Sequence, residues 1–312
     1  IFKGEAKVEW KEKKPSEWKR YLPIRNQSTS GSCVAFAIAL GLGTENLIEE
    51  NKFEVLSARF IYSRGYVPET GGMYYLNALE IARKEGTCLE QQMPSDGKNE
   101  AEMRVKDDTA NMRWVAQIYK ANSYVFLPLN FDRWAQFLAE NPNKVILTGL
   151  RFNPGGFSSG EVVLDRNGVY GHAVNIVDYT LWKGQKALVF QHAWTDKWGF
   201  GGLGIITEEQ FYRGVILGAY LIDFKYEPST KPKPVLVIYA NTLKVGDRNR
   251  DVVKLQVGLQ WLGYFPADVE CTGYYGGITR QAVREFQKAY NLNVTGIADF
   301  NTIKKFNEIF AQ

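Results

Sequence analysis

The apolar positions along the chain change period several times, and each change marks an element. The apolar segment from Val34 to Leu42 follows a Gly-Ser-Cys turn, which predicts a helix opening at Cys33. GAYLIDFKY reads as a strand. In VVKLQVGLQWLGYF, Val252, Leu255, Leu259 and Leu262 recur at helical spacing, with Gly263 as the stop. TGYYGGITRQAVREFQKAYNL and TGIADFNTIKKFNEIF then each begin Thr-Gly, with a second threonine seven residues later ahead of an apolar helix. Thr279 and Thr302 are the predicted N-caps. The expected product is a three-helix module with a core of Val252, Leu255, Leu259, Val283, Phe286 and Ile303. KGEAKVEWKEKKPSEWKR interleaves both charges and predicts a solvated strand or loop.

Pro228, Pro232 and Pro234 disfavour helix and stiffen a connector. Residues 227–242 are therefore expected to be a linker ending in a short strand at Val235–Tyr239, between a domain over 1–226 and another over 243–312. At 312 residues, 45% hydrophobic, the chain exceeds what one core usually holds. A net charge of +4 with mixed signs gives no nucleic-acid footprint. No apolar run is long enough for a membrane span. The start at Ile1, with no basic-then-apolar leader, is the expectation for a mature or trimmed product.

Candidate chemistry sharpens the picture. The chain has two histidines, His172 and His192, both in one stretch, GHAVNIVDY followed by QHAWTDKWGFGGLG, far downstream of Cys33 in RNQSTSGSCVAFAIA. A cysteine nucleophile needs an imidazole to take its proton, and a third polar group to orient that imidazole. At a helix start, the macrodipole is expected to lower the Cys33 pKa. Gln27, six residues earlier, can supply a side-chain donor to an oxyanion beside the Cys33 amide. GFGGLG lacks the lysine of a phosphate loop and reads as a tight turn. No Cys/His cluster has zinc spacing, and Asp107, Asp108 and Asp223 are isolated, so neither metal nor cofactor is expected.

LPIRNQ-x5-GSC-x-AF, LSARFIY, ETGGMYYLNALE, GHAV and HAW-x3-WG-x-GG together resemble the papain family of cysteine peptidases, over roughly residues 8–226. The resemblance implies an α+β, two-lobed fold, a helical lobe carrying the cysteine and a β-rich lobe carrying the histidine, with the site between them. It implies Cys33 as nucleophile, His172 as base and acid, and Gln27 as oxyanion donor. Gly71 and Gly72 would pair with an extended substrate, Met73 and Ala173 would line a side-chain pocket, and Trp194 would shield the base. His192 stands where the family usually has asparagine. A free histidine titrates near ~6.5, so His192 predicts an acid limb at higher pH than an asparagine enzyme shows. Val34 replaces a common tryptophan, and Ser30 replaces a cysteine of the family's disulfides. Of Cys33, Cys88 and Cys271, none is expected to form a disulfide in the catalytic domain, and Cys88 reads as a small buried residue.

Residues 243–310 resemble the small all-α peptidoglycan-binding domain appended to many cell-wall hydrolases, through LKVGDRNRDVVKLQVGLQWLGY, TG-x-YGGIT-x-x-AV-x-x-FQ and NLNVTGIADFNT. The expected contact surface is Thr272, Gly273, Tyr274, Tyr275 and Thr279, with Thr272 where that family has aspartate. The implied function is an endopeptidase acting on protein or peptide and held at the cell wall. An alternative is a hydrolase of peptidoglycan cross-links or stem peptides, and a third reading is a catalytically dead wall-binding scaffold. An upstream inhibitory propeptide and an exported or envelope-associated location follow from the same resemblances.

Overall fold

The helix predicted at Cys33 opens there. In the computed structural model, which describes residues 6–222, 236–266, 269 and 271–310, α1 (Cys33–Glu50) runs from Ser32 as N-cap to Asn51, whose φ of 54° ends it. Val34 to Glu45 are all buried, so this helix has neighbours on every side. They are α2 (Ala58–Gly65), α3 (Tyr75–Lys84) and the sheet. Ser57 caps α2 by accepting the Phe60 amide. α4 (Glu100–Arg104) starts in a reciprocal capping box of Asn99 and Glu102. α5 is Ala110–Ile118.

The β-rich part is one antiparallel sheet of β1 (Ser123–Phe126), β2 (Ile146–Phe152), β3 (Tyr170–Trp182), β4 (Gln185–Gln191), β5 (Leu203–Thr207) and β6 (Val215–Ile222), in the order β1-β6-β2-β3-β4-β5. α6 (Phe131–Glu140) and α7 (Glu208–Gly214) join its second face. The two-residue period of β3 divides the cores: Ala173 and Val177 belong to the cluster around α1, Val174 and Ile176 to the one around Phe131, Trp134 and Phe211. β6 begins before the predicted strand, and residues 223–226 of that prediction lie outside the described residues.

The N-terminal stretch is not simply solvated. Trp18 is buried, and Trp10 stacks on Phe131 with centroids 5.8 Å apart. Apolar anchors spaced among charges fix it to the first unit, which comprises residues 1–108 and 115–225.

The second unit, residues 109–114 and 226–312, contains α8 (Arg250–Trp261), α9 (Gly277–Ala289) and α10 (Phe300–Phe310). All six predicted core residues are buried in it. The threonines are not N-caps, however. Gly276 caps α9, while Asp299 accepts the Thr302 amide at the start of α10, so Thr279 and Thr302 stand in the first turns. Each is buried against a glutamine of the preceding helix: Gln256 Nε2 donates to Thr279 Oγ1 at 2.9 Å, and Gln287 Nε2 to Thr302 Oγ1 at 3.0 Å. The same glutamines accept the amides of Gly273 and Gly296, both at 2.9 Å. The Thr-Gly repeat is thus a buried amide hub used twice.

The predicted linker changes at its end. Ile238 is buried in the second unit's core and exchanges hydrogen bonds with Asn307, both at 2.9 Å. Residues 236–239 form no strand: Leu236 donates to the Phe310 carbonyl, Ile238 pairs with the Asn307 side chain, and Tyr239 donates its amide to Asp251. Residues 227–235 of the prediction lie outside the described residues. Among the described residues no helix is long and apolar enough to cross a membrane.

Candidate active site

Cys33 is the first residue of α1 and shares a recess with Ala173, Asn175 and His192, with the backbone of Ala173, Val34 and Cys33 itself placed to favour the thiolate. The Ala173 contact puts the thiol beside β3 at the residue following His172. Burial pushes the Cys33 thiol above its ordinary value by more than this backbone pulls it down. The predicted lowering at the helix start is therefore outweighed in the resting enzyme. Tyr75, whose hydroxyl donates to the Thr148 carbonyl at 2.7 Å, lies close enough that both burial and Cys33 raise its phenol pKa.

Gln27 reaches the site through backbone pairing with the segment after His192. Its amide donates to the Ala193 carbonyl at 2.8 Å, and the Thr195 amide to the Arg25 carbonyl at 3.0 Å. Arg25 anchors this pairing from below, bonded to Asp96 at 2.7 Å, Glu90 at 2.6 Å and the Leu56 carbonyl at 3.0 Å. One hydrogen of Gln27 Nε2 goes to the Ser30 carbonyl at 2.9 Å. The amide carries a second.

The two histidines are held by rings rather than by each other's nitrogens. His172 lies against Trp194, centroids 4.7 Å apart, and edge-on to Phe157 at 5.4 Å. His192 meets Trp198 edge-on at 4.1 Å, Trp194 at 4.8 Å and His172 at 5.8 Å. Nε2 of His172 and both nitrogens of His192 are buried without a hydrogen-bond partner among the described residues. The hydrogen bond expected between the histidines is not made, because aromatic packing sets the His192 ring. Burial lowers the His172 pKa to about 3, and burial followed by the nearby His172 holds His192 well below its ordinary value. The expectation of an early acid limb rested on a free imidazole and falls with that premise.

Gly71 and Gly72 form a closed turn, not an open edge. The Gly72 amide donates to Tyr62 Oη at 2.9 Å and its carbonyl accepts the Val67 amide at 3.0 Å. Both glycines have positive φ, and a Cβ on the facing Gly31 would lie 2.5 Å from Gly72 N. The expected pairing with substrate is corrected at Gly72, whose one donor is already used. Met73 is buried against Gly65, and Ala173 lines a recess with Cys33, Asn175 and His192. The GFGGLG run is the predicted turn: the Gly202 amide returns to the Trp198 carbonyl at 2.8 Å, and a Cβ on Gly202 would strike Ile24. Cys33 and Cys88 are free thiols, and burial pushes the Cys88 thiol up to about 12.

Of the expected wall-contact residues, Thr272 and Tyr274 are exposed, the latter with Arg248 over its ring at 5.0 Å. Gly273, Tyr275 and Thr279 are buried and cannot meet a polymer. Tyr275 fills the core and donates to the Gly296 carbonyl at 3.1 Å, which is why an aromatic stands there.

Sequence reasoning missed Phe157, Arg25, Tyr62, Tyr75 and Glu100. Arg25, Tyr62 and Tyr75 lie inside motifs already singled out but carried no assigned role, while Phe157 and Glu100 lie outside them and are recruited by the fold.

The profile described as the papain family cysteine protease matches residues 5–214, and that of the putative peptidoglycan binding domain matches residues 248–306. The chain belongs to the papain family of cysteine proteases. No curated protein matches it. Among solved structures it is similar to xylellain, a cysteine protease from Xylella fastidiosa, at 17% identity and TM-score 0.56, over 70% of this chain and 93% of that one. It is also similar to digestive procathepsin L 3 of Tenebrio molitor, at 14% identity and TM-score 0.53, over 64% and 66%. The Amb a 11 cysteine protease of ragweed pollen, in its proform, gives 22% identity and TM-score 0.50, over 64% and 61%. At these identities the likeness concerns the fold alone.

Proposed function

We propose that this cysteine protease cleaves internal peptide bonds through a thioester on Cys33 and works at a cell wall held by its second unit. The observation that carries the reading is the recess that Cys33 shares with Ala173 and His192, which brings the thiol against the strand position next to His172. In the reaction the Cys33 proton passes to His172 as sulfur attacks the substrate carbonyl carbon. The resulting oxyanion accepts from the Cys33 amide and the second hydrogen of Gln27 Nε2. His172 then gives its proton to the leaving amine. Water, deprotonated by His172, attacks the thioester and releases the acid and the free thiol. Trp194 and Phe157 keep bulk water from the imidazole. His192 supports His172 through ring packing.

The domain profile over 248–306 supports wall association, and with it an exported or envelope location and peptidoglycan as a partner. The second unit is read as a separate domain. The two proform relatives support an upstream inhibitory propeptide. Fluorogenic peptides and purified peptidoglycan, offered separately, test the reading. It predicts cleavage of the former; release of wall peptides with no peptide cleavage contradicts it. That second outcome has one observation in its favour: with its amide bonded to Tyr62, Gly72 is not built to pair with an ordinary extended strand.

A further inference from the structure

The turn ahead of Cys33 is not tied by a disulfide, since the Cys33 thiol is free and the turn holds no other cysteine. It is nevertheless bonded on its outer side. The amide of Gly31, two residues before Cys33, donates to Glu100 Oε2 at 2.9 Å. Tyr62 Oη donates to Glu100 Oε1 at 2.7 Å while accepting the Gly72 amide at 2.9 Å. Arg104 Nε donates to the same Oε1 at 2.7 Å, and its guanidinium lies 4.8 Å from the Tyr66 ring. One carboxylate on α4 thus joins the turn before the nucleophile, helix α2 and the glycine turn. The two turns touch so closely that a side chain is excluded at Gly31, whose Cβ would lie 2.5 Å from Gly72 N, so small shifts in one turn are passed to the other.

We infer that Glu100, acting with Tyr62, is a positioning residue for the nucleophile: the pair forms a hydrogen-bonded strut that fixes the Gly31–Cys33 turn against the Gly71–Gly72 turn. The inference rests on the reading of Cys33 as the nucleophile. Only an ionised carboxylate can accept from Gly31, Tyr62 and Arg104 together. Burial acts to raise the Glu100 pKa, and these three hydrogen bonds outweigh it, leaving the group below its ordinary value and charged. A glutamine has the same shape but turns an NH2 toward at least one of these donors. A phenylalanine at 62 keeps the ring and deletes the link to Gly72.

The test compares the full-length parent with Tyr62→Phe, Glu100→Gln and the double variant. Melting temperature, the rate of Cys33 alkylation by iodoacetamide, and kcat and KM on a fluorogenic peptide amide are measured for each. The strut predicts that each folded single variant loses about ten- to hundredfold in kcat with a smaller change in KM and slower alkylation. The double variant should be no worse than the poorer single one, because both act through one strut. Tyr62→Phe carries the test if Glu100→Gln does not fold. Unchanged kcat in the folded variants, a lowered melting temperature with unchanged kcat, or losses that multiply in the double variant overturn the inference. A parent whose Cys33 does not react with iodoacetamide overturns the underlying reading, and the inference with it.

Discussion

The amide of Gln27 donates to the carbonyl of Ala193 at 2.8 Å, so the candidate oxyanion donor and the residue after His192 form one small piece of sheet. This pairing fixes the Gln27 backbone, while its side chain is tied only to the Ser30 carbonyl of its own turn. Gln27→Ala should therefore leave the fold intact while kcat falls about 10²-fold and KM stays near the parent's. Steady-state kinetics with a melting curve check this. An equal loss carried entirely by KM would make Gln27 a binding residue instead.

His192 is the residue whose meaning changed most between sequence and structure. Its pKa lies well below 6.5, so it is neutral across the acid limb of activity, and the limbs of parent and His192→Asn should coincide. Stability gives the complementary signal. The unfolded chain binds protons at His172 and His192 below ~6.5 that the native chain does not, so stability rises with pH from about 3 to about 6.5. Replacing His192 by Asn should flatten that slope by on the order of 1 kcal/mol per pH unit. Melting temperatures from pH 4 to 7 measure it; identical slopes would mean His192 titrates normally.

Phe157 meets His172 edge-on and also contacts Trp194 and Trp198 at 5.6 and 5.9 Å. Phe157→Ala should cost about 3 kcal/mol through the cavity it leaves, and slow Cys33 alkylation because the imidazole loses a wall. Denaturant unfolding and alkylation rates check both parts. Normal alkylation in a destabilised variant would confine Phe157 to packing.

In the second unit, Gln287 satisfies Thr302, Ile297, Thr295 and Gly296 at once. Gln287→Ala leaves the buried Gly296 amide unpaired, at about 1–3 kcal/mol, and removes the buried contact to Thr302. The expected result in the full-length chain is a lowered unfolding transition with peptidase activity unchanged below it. Calorimetry and a peptide assay on the same preparation decide it.

Legibility followed sequence distance. Cys33, Gln27 and the start of α1 were readable because six residues of local pattern encode a turn, a donor and a helix. The core of the second unit was readable because helical periodicity survives in any apolar stripe. Glu100 was not, since nothing in DGKNEAEM distinguishes a carboxylate that receives Gly31 across 69 residues from one that faces solvent. Thr279 and Thr302 were misassigned by three positions, because threonine suits both a cap and a buried acceptor and only the fold brings Gln256 and Gln287 to them. Trp194 and Trp198 were legible as part of the His192 motif, but that they close over the His192 ring was not.

The measurement that tests the central claim most directly is covalent titration with an epoxide inactivator of cysteine peptidases, read by intact mass on the parent and on Cys33→Ala. One equivalent of label on the folded parent and none on Cys33→Ala is the predicted result, with Cys88 and Cys271 untouched. A folded parent that takes no label, or label that persists in Cys33→Ala, contradicts Cys33 as the nucleophile.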